Sequence, residues 1–179
     1  MKLLKKLIEN YHRVYPNEKA PMEMLRYLRS ESNVFSNINY NGHFTGSGWV
    51  VNRSRNQLLM THHKKIGKWL QLGGHADGES NLFLVAKREV NEESGLTKFH
   101  AMSEEIFDLD IHTIPALNSE PAHIHYDVRF LFEASSESEK ITVSNESLDV
   151  AWVPIENVVK LNPEKSMSRM IKKTKLLKR

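Results

Sequence analysis

One amphipathic segment that follows a pair of glycines constrains this chain more than any other part of the sequence. Residues 73–96 read GGHADGESNLFLVAKREVNEESGL, and apolar residues recur at helical spacing from about Asn81 to Glu93. Gly95 follows directly in the position of a helix cap, since glycine adopts the left-handed conformation that commonly ends a helix. A strand-like run at residues 69–72 precedes the glycines. We therefore predict a strand, a glycine loop and a helix in that order.

The predicted helix carries three acids and one arginine close together. A helical residue advances by about 100°, so Glu89, Glu92 and Glu93 share a face beside Arg88. The same geometry turns Glu93 partly toward the apolar face, where an unpaired carboxylate is costly. One arginine cannot neutralise three acids, and oxygen ligands without cysteine or histidine among them suit Mg²⁺ or Mn²⁺ better than zinc. The alternative is an ordinary solvated acidic face with an Arg88–Glu92 pair.

This segment resembles the Nudix box, G-x5-E-x7-R-E-U-x-E-E-x-G-U, in which U is an aliphatic residue. Eight of the nine fixed positions match in order over 23 residues, and they are Gly74, Arg88, Glu89, Val90, Glu92, Glu93, Gly95 and Leu96. Ser80 stands where the box has its first glutamate, while Glu79 lies one residue earlier. In the family that first acid mainly supports the helix and the arginine. Whether Glu79 takes over this role is open.

The resemblance implies a Nudix-like α/β/α sandwich with a mixed sheet. It also implies an enzyme that hydrolyses a phosphoanhydride bond, commonly in a nucleoside diphosphate derivative, by metal-activated water. Mg²⁺ or Mn²⁺ would be held by Glu89, Glu92 and Glu93, with Glu92 and Glu93 as the principal ligands and Arg88 orienting the carboxylates. Many family members place another acid in a loop before a late strand, and Glu146 fits that position as metal ligand or general base. A plain surface acid is the alternative for Glu146.

A polar strand and the glycine loop are the candidate substrate-binding elements. Residues 123–130 alternate strictly, so ionisable residues share one side of the predicted strand and apolar residues share the other. Together with the loop they give the candidate substrate-binding residues Gly73, Gly74, His75, His123, His125, Asp127 and Arg129. Two alternatives stay open, namely a half-solvated strand without a ligand and a zinc site built from the His-x-His-x-Asp pattern.

Two further groups of residues could contact a substrate. A basic turn ahead of the glycine loop could meet phosphate oxygens or could simply be solvated, and its members are His62, His63, Lys64, Lys65 and Lys68. Trp49 and Trp69 could stack on a base, although core packing of at least one is the simpler interpretation.

Periodicity outside the box predicts helices at both ends of the chain. Apolar residues at helical spacing in residues 3–14, followed by Pro21, predict two N-terminal helices. We assign them to a helical extension, residues 1–35, packed on a Nudix domain of residues 36–179. Further along, we predict a short helix from Pro154 to about Leu161. A last helix should follow, with Asn162 as its N-cap and Pro163 in its first turn.

Short strand-like runs lie between the helices. They cover residues 48–51, 57–61, 106–111, 124–132 and a run that ends at 153, and the first two form a predicted hairpin. A proline-containing loop from Pro115 to Pro121 joins two of them. Mixed strands flanked by helices predict the same α/β/α architecture that the resemblance implies.

Composition excludes several classes of function. A chain of 179 residues with 40% hydrophobic and 26% charged residues is typical of one globular domain. The absence of cysteine excludes disulfides and thiol catalysis. It also argues against the isopentenyl diphosphate isomerases of the Nudix fold, which use a catalytic cysteine. No apolar run is long enough to span a bilayer, so we expect a cytoplasmic protein without membrane contact.

The charge distribution favours a small-molecule nucleotide over a nucleic acid as substrate. The net charge is only +3, and the basic residues at 172–179 are typical of a solvated helix end, with nucleic-acid or anionic-membrane contact as alternatives. Messenger-RNA decapping would require a more extended basic groove. A non-catalytic nucleotide-binding or regulatory Nudix module is the other alternative, favoured by the displaced Glu79 and opposed by the intact later acids. A homodimer is expected only because dimers are frequent in the family.

Overall fold

The computed structural model describes residues 1–116 and 121–177. These residues form eight strands, five helices and the loops between them. In chain order they are α1 (Lys2–Val14), α2 (Ala20–Ser30), β1 (His43–Val51), β2 (Gln57–His63), β3 (Lys68–Leu70), β4 (Leu72–His75), α3 (Leu82–Ser94), β5 (Phe99–Ala101), β6 (Asp108–Ile114), β7 (His123–Ala134), β8 (Ser147–Pro154), α4 (Val158–Leu161) and α5 (Lys165–Lys175). The strands form one mixed sheet. The predicted hairpin is confirmed, since β1 and β2 pair antiparallel.

Strand β1 pairs with three neighbours and sets the position of each. Its first half pairs antiparallel with β4, with Thr45 opposite His75, and its end pairs antiparallel with β2. Its whole length pairs parallel with β7, starting from His43 opposite His125. The start of β1 therefore lies between β4 and the start of the polar strand. Segments that are distant in sequence meet at this end of the sheet.

The two faces of β1 pack against different helices. Phe44 and Val50 belong to a buried cluster that includes the apolar face of α3, whereas Trp49 and Val51 belong to a second cluster with α5. A Cβ atom at Gly48 would overlap the Val90 side chain, so α3 lies directly on the backbone of β1. Because helices cover both faces, the predicted α/β/α layering of a mixed sheet is confirmed.

The N-terminal helices lie where the sequence predicts them, and they contribute to the main core. Leu4, Ile8 and Met24 are buried in the same cluster as Phe44. Tyr27 stacks on Tyr126 of β7, with ring centroids 4.1 Å apart. The division into residues 1–35 and 36–179 stays a prediction.

Helix α3 confirms the helix predicted after the two glycines, whereas the predicted glycine loop is wrong at Gly73 and Gly74, because both lie in β4 and pair with β1. Helix α3 spans Leu82–Ser94 with Asn81 as N-cap, and its C-cap Gly95 has φ 69°. A side chain at that φ would be strained, which is the physical reason for glycine at this position. The buried residues of this helix include Glu93.

Several predicted boundaries were wrong. Pro154 ends β8 rather than opening a helix, and α4 begins at Val158. Helix α5 begins at Lys165 after the N-cap Glu164, so the prediction of Asn162 as N-cap is wrong by two residues. The Asn162 side-chain amide accepts a hydrogen bond from the Glu164 N–H at 3.0 Å and donates one to the Trp69 carbonyl at 2.9 Å. Strand β5 was not predicted, since three residues carry little periodicity.

The polar strand and the basic C-terminal helix are more buried than the sequence suggested. The alternative of a half-solvated strand is wrong, because Asp127 and Arg129 in β7 are each 2% exposed. The solvated helix end predicted for the basic residues is wrong at Lys173, which is 7% exposed with its Nζ 2.7 Å from Asp108, whereas Lys172 and Lys175 are exposed. Residues 117–120 of the predicted loop and residues 178–179 of the basic tail lie outside the described residues. Among the residues described, no helix combines the length and apolar character needed to cross a membrane.

Candidate active site

A cleft of about 880 Å³ brings most of the predicted site residues together. Those that line it are Gly73, Gly74, His75, Arg88, Glu89, Glu92, Glu93, His125, Asp127, Arg129 and Glu146. His123 is not part of this lining. Strand β4 with its two glycines, α3, β7 and the loop before β8 therefore converge on one cavity, as the resemblance implied.

Glu93 is the most deeply placed acid of the box. Glu93 is 6% exposed, and its Oε2 accepts a hydrogen bond from the Gly73 backbone N–H at 2.7 Å. Burial raises the pKa of this carboxyl to about 8, against the lowering effect of the Gly73 bond, and the charges of Glu89 and Glu146 raise it further. Among the described residues, no basic side chain forms an ion pair with it. The prediction that Glu93 turns toward the core is confirmed.

Arg88 ties the helix to the end of β4. Its Nη2 donates to Glu89 Oε1 at 2.6 Å and to the His75 carbonyl at 2.8 Å. Its Nε lies 3.6 Å from Glu92 Oε2. Burial raises the pKa of Glu89, while the Arg88 hydrogen bond and charge oppose that rise. The arginine thus holds two of the three box carboxylates, consistent with its predicted orienting role.

Gly74 allows Glu89 to lie against β4. A Cβ atom at this position would lie 2.6 Å from the Glu89 carboxyl carbon, closer than real contacts permit. Any other residue would displace the carboxylate or the strand. The glycine of the box is therefore required by close approach of an acid to the backbone.

The displaced acid Glu79 supports the start of α3 rather than the arginine. Its Oε1 accepts the Asn81 backbone N–H at 2.7 Å. The acid near Arg88 is instead Asp77, at 3.8 Å. Two residues thus divide the supporting role that the resemblance gave to one glutamate.

Asp127 and Arg129 form a charge-neutral wall of the cleft. Asp127 accepts hydrogen bonds from Thr45 Oγ1 at 3.0 Å, from Ser47 Oγ at 2.7 Å and from Arg129 Nε at 2.6 Å. Arg129 also lies 3.3 Å from both Asp108 and Asp110. The Arg129 guanidinium already pairs with the carboxylates of Asp108, Asp110 and Asp127. Arg129 would therefore influence a substrate through the shape of the wall. Substrate contact by these two residues stays a prediction.

Glu146 reaches the same cleft from the loop before β8. Its backbone carbonyl accepts the Lys64 N–H at 2.9 Å, which fixes the loop against the end of β2. Its side chain is exposed, and its charge raises the pKa of Glu93. This placement suits an acid that acts on a solvent-accessible substrate, although its role stays a prediction.

The basic turn and the tryptophans divide between the cleft and the core. His63 and Lys68 line the cleft, and Lys68 Nζ lies 2.9 Å from Glu164. Trp69 stacks on His62 with centroids 5.1 Å apart. Trp49 is fully buried and donates from Nε1 to Thr174 at 2.9 Å, so core packing of at least one tryptophan is confirmed.

Four histidines gather at the starts of β1 and β7 and the end of β4. They are His43, His75, His123 and His125, and their ligating atoms all lie within 4.8 Å of one another. Among the described residues, this is the only set of three or more histidine or acidic side chains that close together. Sequence reasoning missed His43. The signal was its alternation with Thr45 and Ser47, which share a face, but the parallel pairing of β1 with β7 was not predicted.

Burial keeps two of these rings neutral. It lowers the pKa of His43 to about 4 and that of His125 to about 2, and neighbouring histidines lower both further. Each ring therefore presents one nitrogen lone pair at neutral pH.

Comparison with known proteins is consistent with this geometry. The family model described as NUDIX domain matches residues 42–174. No curated protein matches the chain.

Solved structures with the same fold share little sequence with it. The Ap4A hydrolase of C. elegans, in a binary complex, is 14% identical over 74% of this chain and 94% of its own, with a TM-score of 0.59. A NUDIX-family hydrolase from Clostridium perfringens is 23% identical over 79% and 100%, with a TM-score of 0.52. The NUDIX domain of Shewanella oneidensis NrtR, complexed with ADP ribose, is 12% identical over 84% and 95%, with a TM-score of 0.51. These likenesses confirm the predicted fold.

Proposed function

Since the chain belongs to the Nudix family and is a hydrolase acting on pyrophosphate bonds, we propose that its substrate is a nucleoside diphosphate derivative. We further propose that hydrolysis depends on Mg²⁺ or Mn²⁺ held by Glu89, Glu92, Glu93 and Glu146. The metal dependence and the substrate class are the parts that need experiments.

The burial of Glu93 is the observation that supports this proposal best. A carboxylate that is 6% exposed and lacks an ion pair among the described residues is costly unless a cation or a proton neutralises it. Its one hydrogen-bond donor is the Gly73 N–H at 2.7 Å, which leaves lone pairs for a ligand in the cleft. A site built in this way suits a divalent cation.

The donor set fits a hard cation. Glu89, Glu92, Glu93 and Glu146 all line the cleft and offer only carboxylate oxygens, which Mg²⁺ and Mn²⁺ prefer. The space left by the missing Cβ of Gly74 lets Glu89 lie against β4. Bound divalent ions supply charge neutralisation for the diphosphate and a lowered pKa for coordinated water.

The protein's own groups hold the reacting parts in place. Arg88 fixes Glu89 and Glu92 on the helix and binds the His75 carbonyl at the end of β4, so it sets the spacing between α3 and β4. The Gly73 N–H holds the Glu93 carboxylate beside β4. Glu146, exposed at the edge of the cleft, is our candidate to accept a proton from the attacking water.

The size of the cleft and the compared structures support a nucleotide-sized substrate. A cavity of about 880 Å³ lies in the range of small-molecule sites. One compared domain is complexed with ADP ribose, and another structure is an Ap4A hydrolase. The diphosphate linkage common to these molecules is the feature that we assign to the substrate. Candidate contacts to it are the predicted residues that line the cleft, Gly73, Gly74, His75, His125, Asp127 and Arg129.

The test is a hydrolysis panel with matched variants. ADP-ribose, dinucleoside polyphosphates, nucleotide sugars and nucleoside triphosphates are incubated with Mg²⁺, with Mn²⁺ and with chelator, and the released nucleotides are separated. We expect turnover of at least one diphosphate derivative, abolished by chelator. Glu93→Gln should lower kcat/KM at least about tenfold, which corresponds to about 1.4 kcal/mol in the barrier.

Glu79→Gln is the matched control, because Glu79 belongs to the same segment but lies outside the lining of the cleft. Its amide oxygen can still accept the Asn81 N–H, so activity should stay within about twofold of the wild type. Equal losses in both variants would contradict the assignment of Glu93. Undiminished turnover in chelator would contradict the metal dependence.

Other expectations from the sequence stay predictions. They are the homodimer, the cytoplasmic location and the absence of nucleic-acid partners. The homodimer can be measured directly by sedimentation of the purified chain.

A further inference from the structure

Three neighbouring strands bring four imidazoles to one end of the sheet, beside the acidic cleft. The register places His43 of β1 opposite His125 of β7, and His75 of β4 opposite Thr45 of β1. His43 lies close to each of the other rings, with centroids 4.7 Å from His125 and 5.0 Å from His75 and His123. The cluster is therefore built by the sheet itself, not by one mobile loop.

Backbone carbonyls fix which nitrogen of two rings can act as a ligand. His43 Nδ1 lies 3.3 Å from the Asn39 carbonyl, and His123 Nδ1 lies 2.9 Å from the Pro121 carbonyl. A carbonyl can only accept, so each Nδ1 carries the hydrogen and each Nε2 carries the lone pair. This arrangement, with the outer nitrogen bonded to a carbonyl, is the usual support of a metal-bound histidine.

His43 contributes the buried nitrogen that most needs a partner. His43 is 1% exposed, and its Nε2 has no hydrogen-bond partner among the described residues. His123 Nε2 accepts a hydrogen bond from His125 Nε2 at 3.1 Å, because the hydrogen of the His123 ring is on Nδ1, and a bound cation would replace this hydrogen bond. Leaving a buried polar atom unsatisfied costs roughly 1–3 kcal/mol, so the fold retains this nitrogen at an energetic cost.

We propose that His43, His75, His123 and His125 form a binding site for a borderline-soft divalent ion, Zn²⁺, distinct from the carboxylate site. Neutral imidazole nitrogens suit zinc, whereas Mg²⁺ and Mn²⁺ prefer oxygen. With Zn–N bonds of 2.0–2.1 Å, tetrahedral ligands lie about 3.3 Å apart. The pair at 3.1 Å meets this spacing, and the largest separation of 4.8 Å requires side-chain movements of about 1 Å.

The aspartate of the His-x-His-x-Asp pattern does not belong to this site. Asp127 is occupied by Thr45, Ser47 and Arg129, and His43 supplies the additional ligand that the pattern lacks. His75 and His125 are half-buried and line the cleft, which gives an ion a route to the site. Four protein ligands correspond to a closed, structural zinc centre. It would tie β1, β4 and β7 together next to Arg88.

The experiment measures zinc on the whole chain after dialysis against chelator. Titration calorimetry should show one equivalent of Zn²⁺ bound in the presence of excess Mg²⁺, and the melting temperature should rise with zinc. X-ray absorption of the zinc-loaded protein should show nitrogen ligands at about 2.0 Å with imidazole scattering. A shell of oxygens alone, or less than one equivalent bound, would overturn the proposal even if no variant could be purified.

Variants separate this site from the carboxylates. His43→Gln and His123→Gln should each weaken zinc binding roughly tenfold or more. His100→Gln is the matched control, because the His100 side chain is 61% exposed and lies outside the cluster, and it should bind as the wild type does. Glu93→Gln should also keep the zinc equivalent. Loss of zinc in Glu93→Gln, or full retention in both cluster variants, would overturn the proposal.

Discussion

Replacing Glu93 by glutamine should make the metal-free protein more stable while it impairs hydrolysis. The substitution keeps the size of the side chain and an oxygen that can accept the Gly73 N–H, so only the charge is removed. In the fold, burial raises the pKa of Glu93 from 4.5 to about 8. Above pH 4.5 the unfolded chain releases this proton before the folded chain does. The free energy of unfolding of the wild type therefore falls as the pH rises from about 4.5 to about 8.

The magnitude follows from that difference in pKa. Each pH unit between the two values contributes about 1.4 kcal/mol. Relative to wild type, Glu93→Gln should therefore be more stable by less than about 1 kcal/mol at pH 5 and by about 3 kcal/mol at pH 7. At pH 9, above both pKa values, the difference should reach about 5 kcal/mol.

Urea unfolding in chelator at these three pH values measures the effect, with the fluorescence of buried Trp49 as the signal. Added Mg²⁺ should reduce the difference in the free energy of unfolding between the two proteins at pH 9, because the ion stabilises the wild-type carboxylate and not the amide of the variant. Glu79→Gln is the control for an exposed acid and should show no pH-dependent gain. A gain for Glu93→Gln that is the same at all three pH values would refute the reasoning, since it would not come from ionisation.

Three further substitutions test how the fold supports the site, each by the free energy of unfolding in urea. Gly95→Ala should cost about 1–2 kcal/mol, because φ is 69° and a Cβ would lie 2.9 Å from Thr142. An unchanged midpoint would contradict the left-handed cap. Gly48→Ala should cost about 1–3 kcal/mol and lower hydrolysis, since its Cβ would overlap Val90 and displace α3; unaltered activity would show that the helix need not move. Arg129→Met should cost about 3–5 kcal/mol, because buried Asp127 would lose the one cation that pairs with it among the described residues, whereas Asp108 and Asp110 keep Arg169. An unchanged free energy of unfolding would mean that the hydroxyl hydrogen bonds of Thr45 and Ser47 are enough to stabilise Asp127.

Local pattern accounts for the parts of the fold that the sequence predicted. Helix α3 combines an apolar stripe with a glycine cap, and the β1–β2 hairpin joins two apolar runs through a polar turn. Both features depend on neighbours within a few residues. The inward turn of Glu93 follows from the same helical geometry, which is why one buried acid could be identified without a structure.

Long-range pairing accounts for what the sequence did not reveal. Nothing near His43 indicates that β1 pairs in parallel with β7, so its place beside His125 could not be predicted. The pairing of Arg129 with aspartates from β6 was missed for the same reason. At Glu79, counting residues showed the displacement, but only the backbone geometry shows that its oxygen serves Asn81.

The pairing of β1 with β7 has a consequence for how the chain acquires its cavity. His43 and His125 are neighbours in the sheet, although most of the chain's strands lie between them in sequence. Closing so long a loop is slow compared with forming a hairpin or a helix. The cleft can therefore be completed only after β7 has been synthesised, since His125, Asp127 and Arg129 of that strand form part of its wall.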